Sequence, residues 1–319
     1  MPIKTKLTEL LGIEHPILLA PMGNVSGGAL AASVTRAGGF GLIGAGYGDP
    51  AWIEREFAAA GNTPVGIGFI TWSLAKQPQL LDQALARKPR MVMLSFGDVE
   101  PFARKVKDSG ALLICQIQNL KDAKTVTRLG ADLVVAQGTE AGGHGAGRAT
   151  FTLVPAVVDA VSPVPVVAAG GVADGRGLAA SLMLGAAGAL VGTRFSASQE
   201  SLTHPNLKKR IVEAGGDSTT RTKVFDTVRG YTWPEPFDGR AIRNAFLDRW
   251  HGNDADLQAA LGTEGPRYKD AAAQGDTNTM VMFAGENIDL IHDLPPAADI
   301  VARIAKDAEA LLSHPPILR

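Results

Sequence analysis

His144 rises from a bed of small residues, Ala136-Gln137-Gly138-Thr139-Glu140-Ala141-Gly142-Gly143-His144-Gly145. Glycine has no Cβ and tolerates positive φ, so this backbone is compact enough to lie against a flat ligand. Imidazole titrates near neutrality, which suits His144 to take a proton from a substrate or to hold an anionic one. The stretch also reads as a plain glycine-rich surface turn, and its position decides between the two. Leu133-Val134-Val135-Ala136, just before it, is a short apolar run of the kind that forms a buried strand. His144 is therefore expected in a loop at the C-terminal end of a strand.

Two further glycine clusters also follow apolar runs: Ala169-Gly170-Gly171-Val172-Ala173-Asp174-Gly175 and Gly192-Thr193-Arg194. Backbone N–H groups that glycine leaves accessible, backed by the N-terminus of a helix beginning near Arg176, would form an anion pocket. Ala20-Pro21-Met22-Gly23-Asn24 ends another run. Its proline, thioether and glycine would let backbone approach a flat ring, while Met22 alone serves equally as core filler. Gln116 and Gln137 each end a strand-like run, where an amide can face ring heteroatoms or simply solvate a loop. His15, His204 and His314 sit beside prolines, and His251 and His292 in polar surroundings; these five read as structural or exposed. No His-x-x-x-His pair or histidine–carboxylate cluster suggests a metal, and no G-x-S-x-G elbow is present.

The positioning elements repeat. Apolar strand candidates cover Pro16–Met22, Phe40–Gly46, Val65–Thr71, Met91–Phe96, Leu112–Ile117, Leu133–Gly138, Val164–Gly171 and Ala189–Phe195. Between them lie helix-like segments over Gly28–Ala37, Pro50–Ala60, Pro78–Arg87, Glu100–Asp108, Lys121–Leu129, Pro155–Val161 and Arg176–Leu184. Several of these end in a glycine C-cap cue. Eight strands with a helix after each of the first seven imply parallel pairing through right-handed crossovers, and eight such units close into a (β/α)8 TIM barrel. The runner-up, an open doubly wound sheet, is weakened by the lack of a G-x-G-x-x-G after the first strand. In a barrel, the site lies at the strand C-termini and phosphate is often held after the seventh and eighth strands, where both glycine clusters fall. A phosphate-bearing flat ligand, FMN first among candidates, follows from that placement.

The repeat fails between 199 and 271, a stretch richer in charge and aromatics. It reads as a mainly helical cap over one mouth of a barrel built from 1–198 and 272–319. Its Tyr231, Trp233 and Phe237 could wall the pocket but read better as packing that seats the cap. Residues 295–313 form a last amphipathic helix, with Ile300, Ile304, Ala308 and Leu311 at helical spacing, that closes the barrel wall.

The chain has 319 residues with Lys+Arg 31 against Asp+Glu 32, a net charge of -1 and no basic block. Nucleic acid and anionic membrane are therefore not expected partners. The N-terminus is too polar for a signal peptide and the apolar stretches are too short to span a bilayer, so a soluble, cytoplasmic protein is expected. Cys115 is the single cysteine, which excludes an internal disulfide and reads as a small buried residue.

Taken together, the chain resembles the nitronate monooxygenase family, also called 2-nitropropane dioxygenases. The matching elements are His15-Pro16-Ile17 with Ala20-Pro21-Met22, then Gln137-Gly138-x-Glu140-Ala141-Gly142-Gly143-His144, Ala169-Gly170-Gly171, Gly192-Thr193-x-Phe195 and Gln274-Gly275-Asp276. The resemblance implies a TIM barrel with non-covalent FMN at the strand C-termini and His144 as active-site histidine. It puts Met22, Gln137, Gly171, Gly192 and Thr193 on flavin-contacting positions, with Gln274 and Gly275 near the flavin. It implies oxidation of alkyl nitronates such as propionate 3-nitronate by O2 to a carbonyl compound and nitrite, and it leaves room for a homodimer.

The chain departs from the pattern at Gly66-Ile67-Gly68-Phe69, where many relatives carry asparagine, and at Gln116, where some carry lysine. Such changes alter the groups around the ring and hence its electronics. Flavin-dependent enoyl reductases and NADH:quinone reductases share this fold and histidine element. An NAD(P)H-dependent reductase is thus the rival enzyme, and a non-catalytic flavin carrier the rival of another class.

Overall fold

The computed structural model describes residues 2–314. Eight parallel strands form one sheet: β1 (Ile17–Leu19), β2 (Leu42–Gly44), β3 (Gly66–Ile70), β4 (Met91–Ser95), β5 (Leu112–Ile117), β6 (Leu133–Gln137), β8 (Val166–Ala169) and β9 (Gly188–Val191). The spatial order is β1-β9-β8-β6-β5-β4-β3-β2. The Phe40 N–H donates to the Ile17 carbonyl and the Leu19 N–H to the Phe40 carbonyl, both at 2.9 Å, so the edge at β2 returns to β1 and the sheet closes. This is the expected (β/α)8 barrel.

Side chains alternate along each strand. Leu18, Leu42, Met91, Met93, Ile114, Leu133, Val135, Val167 and Leu190 fill the barrel interior. Leu7 and Leu11, from the helix Lys6–Leu11, join that cluster. Ile17, Leu19, Ile67, Val92, Leu113, Cys115, Val134 and Val191 face outward onto the helices. Burial pushes the Cys115 thiol up to about 12, so this sulfur is a packing group.

Two short helices are added to those expected: Thr71–Leu74 after β3, and Thr193–Ser196, which ends the strand expected over Ala189–Phe195 at Val191. The seven expected helices between strands are found close to their expected bounds, with one exception. Thr150–Val161 begins well before Pro155, which lies inside the helix and not at its first turn. The final helix, Ala297–Ser313, buries Ile300, Val301, Ile304, Ala305 and Ala308 against the helices Gly175–Met183 and Gly28–Arg36. It takes the eighth place in the wall, as its periodicity predicts.

After β9 the alternation gives way to a different arrangement. Five helices, Pro205–Glu213, Val224–Arg229, Ala245–Trp250, Asp254–Ala259 and Leu261–Ala273, lie between residues 199 and 273. The mainly helical reading omits a sheet that runs through them. β10 (Thr219–Thr222) and β11 (Asp238–Ile242) pair antiparallel, and β11 pairs again with β7 (Gly143–Gly145). His144 therefore lies on a short strand, opposite Gly239. Among the described residues no helix is long and apolar enough to cross a membrane.

Candidate active site

One cavity opens at the C-terminal ends of the barrel strands, with about 1330 Å³ of space including its open mouth. Pro21, Met22, Gly23, Gln116, Gln137, His144, Ala169, Gly170, Gly171, Gly192 and Thr193 all line it. Six separate segments of sequence thus converge on one space.

The floor comes from the turn after β1. Gly44 lies under Met22 so closely that a Cβ there would sit 2.4 Å from the Met22 carbonyl carbon and oxygen. A Cβ on Gly68 would meet the Pro21 ring at 2.3 Å. The missing side chain at Gly68 is thus matched by the Pro21 ring, which takes the space beside it.

At the far end, Gly170 and Gly171 adopt φ of 99° and 80°, a region that L side chains rarely enter. The Gly138 N–H donates to the Ala169 carbonyl at 2.8 Å. Thr150 ties the same corner together: its N–H and hydroxyl reach the Glu140 carboxylate at 2.9 and 2.8 Å. Glu140 is accordingly a clamp for the loop, a role its place beside His144 does not reveal. One expected contributor drops out. The N-terminus of the helix Gly175–Met183 is already capped by Asp174, whose carboxylate accepts from the N–H groups of Arg176 and Gly177.

Gln137 works as a positioning residue. Its amide oxygen accepts from Gln116 Nε2 at 3.1 Å and Gln118 Nε2 at 2.7 Å, and its Nε2 donates to the His144 carbonyl at 3.0 Å. Together with the β7–β11 pairing this fixes the backbone of His144 from both sides.

The imidazole of His144 is buried, and its Nε2 lies 2.8 Å from Asp226 Oδ2. Burial lowers its pKa below 6.5, and hydrogen bonding and charge from Asp226 only partly oppose that. A neutral imidazole beside a carboxylate carries its proton on the nitrogen facing it, which leaves Nδ1 with a free lone pair. Asp226 sits 82 residues further along the chain, on the helix Val224–Arg229. Sequence reasoning missed it because no local spacing links it to His144.

Trp233 lies parallel to His144, ring centroids 3.4 Å apart and planes 6° off, and its Nε1 donates to the Tyr47 hydroxyl at 3.0 Å. Burial pushes the Tyr47 phenol up to about 12, so it remains protonated. Trp233 lines the cavity and does more than seat the cap, whereas Tyr231 and Phe237 pack behind it against Tyr47 and Phe96. Arg229 and Phe283 complete the upper wall.

Gln274 and Gly275 are not part of the lining. Gln274 is exposed at the C-cap of Leu261–Ala273, and Gly275 packs on the His204 ring, where a Cβ would meet Cε1 at 2.2 Å. Their segment is anchored to the helix Pro205–Glu213, with Asn206 Nδ2 donating to the Gly275 carbonyl at 3.1 Å. None of the other histidines lines the cavity, and among the described residues no cluster of His, Cys, Asp and Glu is arranged to hold a metal.

The comparisons with known proteins agree with this architecture. A nitronate monooxygenase from Neurospora crassa is 33% identical, covering 93% of this chain and 90% of its own. An indene-carboxyl-CoA dehydrogenase from Rhodococcus jostii is 31% identical, covering 96% of each. The structure of FabK from Thermotoga maritima superposes with a TM-score of 0.85 at 31% identity, covering 98% of both chains. The profile of the nitronate monooxygenase family matches residues 4–84 and 69–307. With that profile spanning nearly its whole length, the chain belongs to the nitronate monooxygenase family and is an oxidoreductase.

Proposed function

We propose that this enzyme binds FMN in the barrel mouth and oxidises alkyl nitronates, such as propionate 3-nitronate, with O2 to a carbonyl compound and nitrite. The observation that carries the reading is the buried pair His144–Asp226, whose imidazole lines a cavity bordered by Pro21, Met22 and Gly23 and by Gly170, Gly171 and Gly192. Pro21, Met22 and Gly23 would lie against the ring and the amide of Gln116 beside it. The backbone of Ala169, Gly170, Gly171, Gly192 and Thr193 would receive the phosphate. When bound, FMN supplies the route for electrons from the nitronate to O2.

The protein's own groups handle the proton and the anion. Neutral His144 offers Nδ1 to the Cα–H of a neutral nitroalkane, and Asp226 steadies the imidazolium that results. In that protonated form His144 donates to the nitro oxygens and holds the nitronate as an anion. Residues 199–271 act as a cap whose contribution to the chemistry is Asp226, bonded to His144, with Trp233 stacked on that imidazole.

The deciding experiment follows the visible absorption of the FMN-loaded enzyme during anaerobic addition of propionate 3-nitronate. Bleaching supports the proposal; an unchanged oxidised spectrum overturns it. The similarity to a CoA dehydrogenase at nearly equal identity gives the reductase reading its support. Rapid anaerobic bleaching by NADH, with none by the nitronate, would replace the first reading with the second.

A further inference from the structure

Arg229 ends the helix Val224–Arg229 and faces the cavity shared with His144. Three rings surround its guanidinium carbon, Tyr231 at 4.8 Å, Tyr47 at 5.5 Å and Phe283 at 6.0 Å from the ring centroids. Cation–π contacts engage the faces of the planar cation, whereas its N–H donors point along the edges. Those edges are not satisfied by protein. Nη1 is buried and has no hydrogen-bond partner.

The neighbouring arginines differ in having a carboxylate partner: Arg221 pairs with Asp238, Arg240 with Glu286, and Arg194 with Asp293, although Arg194 Nε is itself buried without a hydrogen-bond partner. The acid nearest in sequence, Asp226, is turned to His144 through Oδ2, and its Oδ1 is buried without a hydrogen-bond partner, so it does not satisfy Arg229 either. A buried donor of a charged group left without an acceptor is costly, and cations are not kept that way without reason. Here the cation borders a ligand cavity, so the missing acceptor is one that a ligand brings.

We infer that Arg229 binds an oxyanion of the ligand, a carboxylate or a phosphate held away from the reacting carbon, through the edge of its guanidinium while the aromatic rings hold its faces. In terms of the nitronate reading, on which the choice of probe rests, the oxyanion is a carboxylate carried by the nitronate. Arg229 then sets which nitronates are used, not how the reacting bond is broken. The same chemistry would also serve a phosphate of a nicotinamide cosubstrate, and the test separates the two sources.

The test is anaerobic calorimetry on the FMN-loaded enzyme with three probes: 3-nitropropionate, its carboxylate-free counterpart 1-nitropropane, and NADH. The protein forms are wild type, Arg229→Met and Arg229→Lys, the last keeping the charge should the methionine variant fold poorly. We expect Arg229→Met to weaken 3-nitropropionate by roughly 10–100-fold, the range for a hydrogen bond to a charged group, and to leave 1-nitropropane unchanged. Arg229→Lys should keep part of the affinity. A loss confined to NADH supports the same site with phosphate as the source.

Equal losses for every probe, or no loss for any, overturn the inference. So does a wild type that binds both nitro compounds equally and does not bind NADH. Turnover of ethyl nitronate by the wild type, measured separately, decides the nitronate reading without entering this ratio.

Discussion

His144 and Asp226 are useful as a pair because each corrects what the other lacks. A buried imidazole alone would be a weak base, since burial disfavours its charged form; the carboxylate at 2.8 Å stabilises the proton once it arrives. Asp226 also holds the tautomer that presents Nδ1. His144→Asn and Asp226→Asn should both reduce kcat/KM for neutral 1-nitropropane by roughly 10²–10⁴-fold, the usual contribution of a positioned base. Ethyl nitronate, already deprotonated, should suffer less in either variant. Equal losses on the two substrates would remove the base role. Acid titration gives an independent check. Because the folded-state pKa is held below 6.5, the unfolded chain takes up this proton first as pH falls. The associated stability is complete above about pH 6.5 and is lost as pH drops toward the folded value. Denaturant unfolding at a series of pH values should show that component in the wild type and not in His144→Asn.

At the scale of elements, the floor of the site depends on how closely β3 approaches the turn after β1. A methyl group at Gly68 would overlap the Pro21 ring, with contacts of 2.3 and 2.4 Å to Cγ and Cβ. Gly68→Ala should therefore destabilise the apoprotein by about 1–3 kcal/mol, as overpacking does, and weaken FMN by displacing Pro21 and Met22. Gly262→Ala is the control: nothing lies within 4 Å of its added Cβ, and it sits in the helix Leu261–Ala273. It should stabilise by up to about 1 kcal/mol through helix propensity. Thermal melts of the two variants should move in opposite directions; a neutral Gly68→Ala would mean the floor yields. The barrel strands were legible because each is a continuous apolar run bounded by glycine or polar residues. The sheet of β7, β10 and β11 was not, since Gly143-His144-Gly145, Thr219–Thr222 and Asp238–Ile242 carry no apolar alternation and pair across long stretches of chain. Pro155 misled for a local reason: proline favours a first turn, yet the packing of Leu153, Val154 and Val157 keeps it inside a longer helix.

For the whole molecule, the legible part of the site was the part built by the barrel itself, because strand ends follow from strand positions. His144, Met22, Gln116 and the glycine clusters could be named from the sequence for that reason. Arg229 and Trp233 reach the cavity from the stretch after β9, and only the folded arrangement brings Asp226 and Trp233 to His144. A ligand filling this cavity would touch the ends of β1, β5, β6, β8 and β9 together, so its binding should act on the stability of the entire barrel. For a ligand that binds only the folded state, the gain is RT ln(1 + [L]/Kd), about 2.7 kcal/mol at a hundredfold excess over Kd. FMN added to the apoprotein should raise the melting temperature with that concentration dependence. Riboflavin, which lacks the phosphate, should raise it less at equal concentration, because it leaves the backbone of Gly171 and Gly192 without an anion. Gly171→Ala should shrink the difference between the two flavins, since φ of 80° is costly for alanine and the loop must move to relieve it. Melting curves of both proteins with each flavin measure this directly. Equal stabilisation by riboflavin and FMN in the wild type would place the phosphate outside the glycine clusters and leave the left-handed geometry of Gly170 and Gly171 as turn structure alone.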